Sequence, residues 1–290
     1  MTTTLPVYRW LVPDAAAEDA RADRAKLAAA RRDPRIAALE WRDLVALGRW
    51  EVADELALSL PWLAASLALA HYELWLPAMP CSFMFFLAAL RQIHNGTHYA
   101  LGIGKTGTEW FLFAMSVALL GSNHAVQYNH LRHHRHCLGP EDVEGVNARL
   151  SAWTVLLCGP VYPAMQHWWA LTTGNRRTRS WVAAELLANA AWIAAVMFWI
   201  EWRPLHYHVA FMAAGHCFTA FFAVWTTHHD TRDALFPART QNGRLKNWIS
   251  YRMFLHAEHH LFPRVPTRHL SRLAARLAAL APDYRRRQVY

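Results

Sequence analysis

Cysteine is scarce in this chain: four in 290 residues, Cys81, Cys137, Cys158 and Cys217, with no C-x-x-C pair. That excludes a disulfide framework, and reduced structural thiols suit a protein facing the cytoplasm. Glycine is low as well, at 12, beside 54% hydrophobic residues and 15 Trp, a balance unusual for a soluble fold. The N-terminus lacks the short basic start and apolar core of a cleaved signal peptide, so the first span must itself direct insertion. No H-E-x-x-H occurs, which removes the zincin protease pattern. Internal repeats, Gly/Ser linkers and low-complexity stretches are missing too.

What is present is a set of long apolar runs between polar ends. Residues 14–50 are Ala-rich with interspersed Arg, Asp and Glu, punctuated by Pro13 and Pro34, and predict one or two polar helices at the membrane surface. The run 52–76 is long enough to cross a hydrocarbon core of about 30 Å at about 1.5 Å per residue. Pro77 and Pro80 then read as a tight turn, and 81–98 returns toward the starting side. The stretches 110–127 and 151–172 carry Ser122, Asn123 and His124, or Gly159, Pro160 and Pro163, and read as half-buried or interfacial helices. A second hairpin follows in 181–200 and 205–227, joined at 201–204 and entered from the basic loop 176–179. The fold class is thus an all-α integral membrane protein with four transmembrane helices in two hairpins. The expected domains are a polar helical segment 1–50, a membrane domain 51–280 and a basic tail 281–290.

Charge orients this arrangement. The formal net charge is +9; nine Lys or Arg precede Glu51 and twelve follow Thr231, whereas the links 73–81 and 201–206 hold one Arg between them. That is the positive-inside pattern, placing both termini and the histidine-rich segments in the cytoplasm, with a bacterial inner membrane as the expected location. The basic residues flank spans and form no aromatic-interleaved patch, which argues against a nucleic-acid partner.

Three clusters stand out among the 18 histidines: His94-Asn-Gly-Thr-His98, His130-Leu-Arg-His133-His134 and His256-Ala-Glu-His259-His260. Residues three and four apart share one face of a helix, so each cluster can aim its imidazoles at a common point. Eight imidazoles exceed what one tetrahedral zinc can use, which implies two metals, although imidazole suits zinc, copper, iron and nickel alike. His71, His167, His206 and His208 read instead as surface or packing residues. From adjacency, Asn95, Asn129, Asp230 and Glu258 are candidates to orient the ligands by hydrogen bonds.

The spacing H-x3-H, H-x2-H-H, H-x2-H-H resembles the membrane fatty acid desaturase and hydroxylase superfamily. The likeness is close at His256-Ala-Glu-His259-His260-Leu-Phe-Pro, followed by Pro266, and at Arg135-His136-Cys137-Leu138-Gly139-Pro140-Glu141-Asp142, similar to the polar, acidic stretch common after the second box. It covers roughly residues 50–280. The resemblance implies two iron ions held almost wholly by histidine and dioxygen as co-substrate, abstracting hydrogen from an unactivated alkyl chain. It also implies a ninth histidine before the third box, where Thr227-His228-His229-Asp230 stands, so His228 or His229 is the expected extra ligand; His124 and His136 read as structural or orienting. Unlike some relatives, the chain shows no fused cytochrome b5 or ferredoxin domain, so a separate donor such as a ferredoxin with its reductase is expected; Arg264, Arg268, Arg272 and Arg285 to Arg287 suit either its docking or contact with lipid headgroups. The expected activity is introduction of a double bond into a fatty acyl chain or lipid-like substrate. The alternatives are a hydroxylase or other oxidase acting on a carotenoid or specialised metabolite, and a membrane metal-binding or transport protein. Transport sites lie near the midplane on broken helices, whereas these clusters follow the ends of spans.

Overall fold

The computed structural model describes residues 15–139 and 141–290; Pro13 and Pro140, and the first residues of the 1–50 segment, lie outside them. Among the described residues the regular elements are helices, with a single two-residue bridge between Thr240 and Gln288. In chain order they are α1 (Ala15–Arg32), α2 (Pro34–Ala37), α3 (Arg49–Ala57), α4 (Leu60–His71), α5 (Trp75–Thr97), α6 (Gly104–Leu119) and α7 (Asn123–His136). After them come α8 (Ala152–Leu157), α9 (Val161–Thr173), α10 (Arg176–Phe198), α11 (Arg203–His216), a π-helical segment Ala220–Trp225, α12 (Thr226–His228), α13 (Arg244–Ile249), α14 (His256–Leu261) and α15 (Leu270–Leu280).

Three stretches are long and apolar enough to cross a membrane: Arg49–His71, Trp75–Thr97 and Arg176–Phe198. A fourth arises only if Arg203–His216 and Ala220–His228 are counted as one bent span. The second arm of the expected second hairpin is therefore broken, at residues 217–219. The 16 residues of α6 and the 13 of α9 reach about 24 Å and about 20 Å at 1.5 Å per residue, short of a hydrocarbon core.

The expected turn at Pro77 and Pro80 is not where the chain reverses. The reversal is at Tyr72 to Leu74, where Glu73 takes a left-handed φ of 57° and the Leu74 amide reaches back to the Leu69 carbonyl at 2.9 Å. Both prolines lie inside α5. Pro77 sits in the first turn, where a backbone N–H has no helical partner anyway, and Pro80 forfeits one bond near the helix start.

The chain divides into two compact units, each discontinuous in sequence. The apolar unit comprises Leu47–Tyr128 and Pro160–Phe218. Its core gathers Phe85, Phe86, Ala89 and Ile93 of α5 with Leu112, Met115 and Leu119 of α6 and Met212 of α11. Buried polar groups pin its helices together. Glu55 of α3, fully buried, pairs with Arg91 at 2.7 Å and accepts from the Asn95 amide at 2.7 Å, while Gln92 donates to the Glu55 carbonyl. Asn95, expected to orient a ligand, thus ties the helix that carries His94 and His98 to α3. Breaking a buried pair by removing one partner costs about 3–5 kcal/mol. Arg91→Met should therefore lower the unfolding temperature in detergent sharply, and Arg91→Met with Glu55→Gln should recover part of the loss.

The second, histidine-rich unit takes the described residues up to Ala46, Asn129–Gly159 and Thr219–Tyr290. Leu270, Leu273, Ala274 and Leu277 of α15 recur at helical spacing and are buried against Ile36, Leu39, Leu44, Leu255 and Phe262. Trp41 packs on Phe262 with ring centroids 5.4 Å apart. This core fixes α14, the short helix bearing the third histidine box.

Candidate metal centre

Seven imidazoles of the histidine-rich unit converge from three short pieces of helix. α7 supplies His130, His133 and His134; α14 supplies His256, His259 and His260; α12 supplies His228. They sort into two clusters by their Nε2 atoms. In the first, His228 Nε2 lies 2.9 Å from His133 Nε2 and 2.9 Å from His256 Nε2, and His260 Nε2 lies 3.1 Å from His256 Nε2. One ligand atom from each of these four lies within 4.8 Å of the others. In the second, His134 Nε2 lies 2.9 Å from His259 Nε2 and 3.1 Å from His130 Nε2. The His134 and His260 rings stack at 4.1 Å between the clusters.

The opposite ring nitrogens explain why the Nε2 atoms point inward. His133 Nδ1 is 2.6 Å from an Asp142 carboxylate oxygen, His130 Nδ1 3.1 Å from Glu144, and His228 Nδ1 2.6 Å from the Pro237 carbonyl. An acceptor at Nδ1 fixes the proton there and leaves the lone pair on Nε2, the form that ligates a metal. Two such lone pairs 2.9 Å apart repel unless a cation lies among them. The donor set thus fits a cation and is ill at ease without one.

Asp142 is itself built in. Its oxygens accept from the Leu138 and Gly145 amides at 2.8 and 2.9 Å, and a Cβ at Gly145 would run into its carboxylate, so glycine is required there. Burial pushes the Asp142 carboxyl up, but the His133 imidazole and the two amides outweigh it and hold it at about 2. Burial likewise opposes charge on His133, but Asp142 and Glu144 prevail and raise it above its usual 6.5. Burial, then the neighbouring imidazoles, push His260 well below 6.5 and keep it neutral.

The structure separates the expected pair at residues 228 and 229. His228 belongs to the first cluster. His229 stacks on Trp225 at 3.7 Å and 6°, and its nitrogens meet the Arg239 guanidinium and, at 3.2 Å, the Tyr290 hydroxyl. Of the expected orienting residues, Glu258 accepts from Thr240 at 2.5 Å and pairs with Arg285 at 2.6 Å, and Asp230 lies 3.4 Å from Arg287, so neither carboxylate is spent on a cluster imidazole. Asn129 is buried beside His130 in sequence. The residues that do orient, Asp142 and Glu144, lie in the acidic stretch after the second box, which was the available signal.

In the apolar unit, His94 and His98 stand at the end of α5 with ring centroids 5.7 Å apart. His124 is buried there between Glu185 at 2.7 Å and Glu109 at 3.1 Å and stacks flat on Trp181 at 4.6 Å. His208 and His216 bond the Ala118 and Leu119 carbonyls, and His136 pairs with Glu141 at 2.7 Å. Each of these four rings meets a protein acceptor.

Helices of membrane-spanning length joined to buried, carboxylate-oriented histidine clusters define a helical membrane-type protein able to hold metal ions. The family model described as fatty acid desaturase matches residues 70–290, more than half of the chain. The chain belongs to the fatty acid desaturase family. No curated protein and no solved structure gives a significant match.

Proposed function

We propose that this protein is an oxygen-dependent membrane desaturase that removes two hydrogens from a fatty acyl chain or lipid-like substrate, using two iron ions held by histidine. The observation that carries the reading is the inward convergence of seven Nε2 atoms, three of them on imidazoles, His133, His130 and His228, whose Nδ1 atoms meet Asp142, Glu144 and the Pro237 carbonyl. His133, His228, His256 and His260 would hold one ion. His130, His134 and His259 would hold the other, with His94 and His98 of the first box completing the set on the strength of the family pattern. When bound, iron supplies the redox cycling with dioxygen that zinc cannot. The chain's own part is to hold the imidazoles in one tautomer, to keep the clusters buried and to present an apolar path for the alkyl chain.

Electrons would come from a separate donor such as a ferredoxin with its reductase. Exposed Arg264, Arg272 and Arg286 support docking of an acidic partner, while Arg285 and Arg287 are engaged with Glu258 and Asp230. The site and both termini would face the cytoplasm, as the charge distribution supports.

The test is expression with a ferredoxin and reductase, followed by mass spectrometry of lipids and small metabolites against a His259→Ala control. Loss of two hydrogens in one compound is the expected result. Gain of one oxygen would make the protein a hydroxylase of the same family. An unchanged profile with tightly held iron would overturn the enzymatic reading in favour of metal storage or transport.

A further inference from the structure

A cavity of about 380 Å³ opens in the histidine-rich unit, and His228 forms part of its wall. Its other lining includes Ala22, Asp23 and Lys26 of α1, Arg149, and Asp233 from the segment just after His228. Six waters around a hydrated divalent ion occupy about 180 Å³ at about 30 Å³ each, so the space accepts such an ion with its shell. Its walls are polar, and Asp23 and Asp233 are acceptors of the hard, oxygen-rich kind that a hydrated cation meets before it loses water.

The passage is shut in this conformation, because His228 is only 1% exposed. α1 lines one side of it. The Lys26 ammonium donates to the Thr231 carbonyl at 2.8 Å and the Arg232 carbonyl at 2.6 Å, and pairs with Asp23 at 3.3 Å. Arg149 also holds Asp23, at 3.1 Å. One side chain of α1 therefore pins the loop that leaves His228. That loop begins at Asp230, whose left-handed φ of 53° marks it as a sharp, strained reversal. The family match begins at residue 70, so α1 lies outside the matched region.

We propose that this cavity is the port through which a divalent transition-metal ion enters and leaves the His133–His228–His256–His260 cluster, and that α1 closes it through Lys26. The proposal rests on the metal-site reading above. Such a port acts on rates and leaves the equilibrium alone, since the four imidazoles that set affinity are untouched. A plug slows entry and exit by one factor, and loss of the latch speeds both.

The test uses the full-length protein in detergent, stripped of metal, with Co2+ as probe. Loading is followed by the visible absorption of the bound ion and release by extraction with EDTA. Ala22 is exposed, so Ala22→Trp fills the mouth without disturbing a core; Lys26→Met keeps the stem and removes the latch. Ala22→Trp is expected to slow loading and extraction about tenfold each, and Lys26→Met to speed both about tenfold, the rate equivalent of one charge-assisted hydrogen bond. Equilibrium affinity should stay at the parent value in both. Parent rates in the Ala22→Trp protein, or a change in only one of the two rates and hence in affinity, would overturn the port while leaving the metal site standing. A parent protein that takes up neither Co2+ nor Fe2+ would instead sink the metal-site reading, and the port with it.

Discussion

Alanine at His228 is expected to strip the first cluster of its ion and abolish turnover, while alanine at the adjacent His229 is expected to leave metal content intact. The contrast follows from where the two rings lie. His228 Nε2 stands 2.9 Å from two partner nitrogens, and its Nδ1 is fixed by the Pro237 carbonyl. His229 is stacked on Trp225 and held by Arg239. Loss of an outer partner typically costs about 10–100-fold, so loss of a ligand should exceed about a hundredfold in turnover. Iron content by elemental analysis is the primary readout, because it separates metal loss from a general loss of fold. Equal iron in the two variants would contradict the assignment.

The second large effect is expected at Asp142. Asp142→Asn keeps the size of the side chain but replaces a charged acceptor with an amide that can offer a donor to His133 Nδ1. The imidazole is then free to take the other tautomer, with its proton facing the cluster. Metal affinity should fall about 10–100-fold, in line with other residues that orient a metal-bound histidine. Asp230→Asn and Glu258→Gln should leave affinity near the parent value, since those carboxylates serve Arg287, and Thr240 with Arg285. Glu258→Gln should show its effect in stability instead, because Arg285 loses a buried partner. Isothermal titration with Co2+ across the three variants checks the ranking; a larger fall at Asp230 or Glu258 than at Asp142 would reverse it.

The histidine boxes were legible because helical spacing alone puts residues three and four apart on one face, and the structure keeps His130 with His133 and His134, and His256 with His259 and His260, in that relation. Residues 228 and 229 could not be separated the same way. Neighbours on a helix point about 100° apart, and which one faces a cluster is decided by distant groups, here Trp225, Pro237, Arg239 and Tyr290. Asp142 and Glu144 escaped for a related reason. They lie nine and fourteen residues beyond their imidazoles, across a loop whose closeness depends on Gly145, whereas adjacency favoured Asp230 and Glu258. The misplaced turn at Pro77 and Pro80 shows a third limit: proline marks a boundary, but it is as much at home opening a helix as closing one.

One local feature sets the rotational phase at which His228 and His229 leave their helix. The segment Ala220–Trp225 is wound with i→i+5 bonds, each spanning one residue more than in an α-helix, just before the short helix that carries His228. The hydroxyls of Thr226 and Thr227 donate to the Phe222 and Ala223 carbonyls at 2.6 and 2.9 Å and so satisfy backbone groups that the wider turn leaves awkwardly placed. The extra residue is in effect a phase shift. Remove it and everything downstream rotates by about 100°, carrying His229 toward the direction now held by His228. A lineage could therefore exchange one ligand for its neighbour by a single codon's gain or loss, with both imidazoles already in the text.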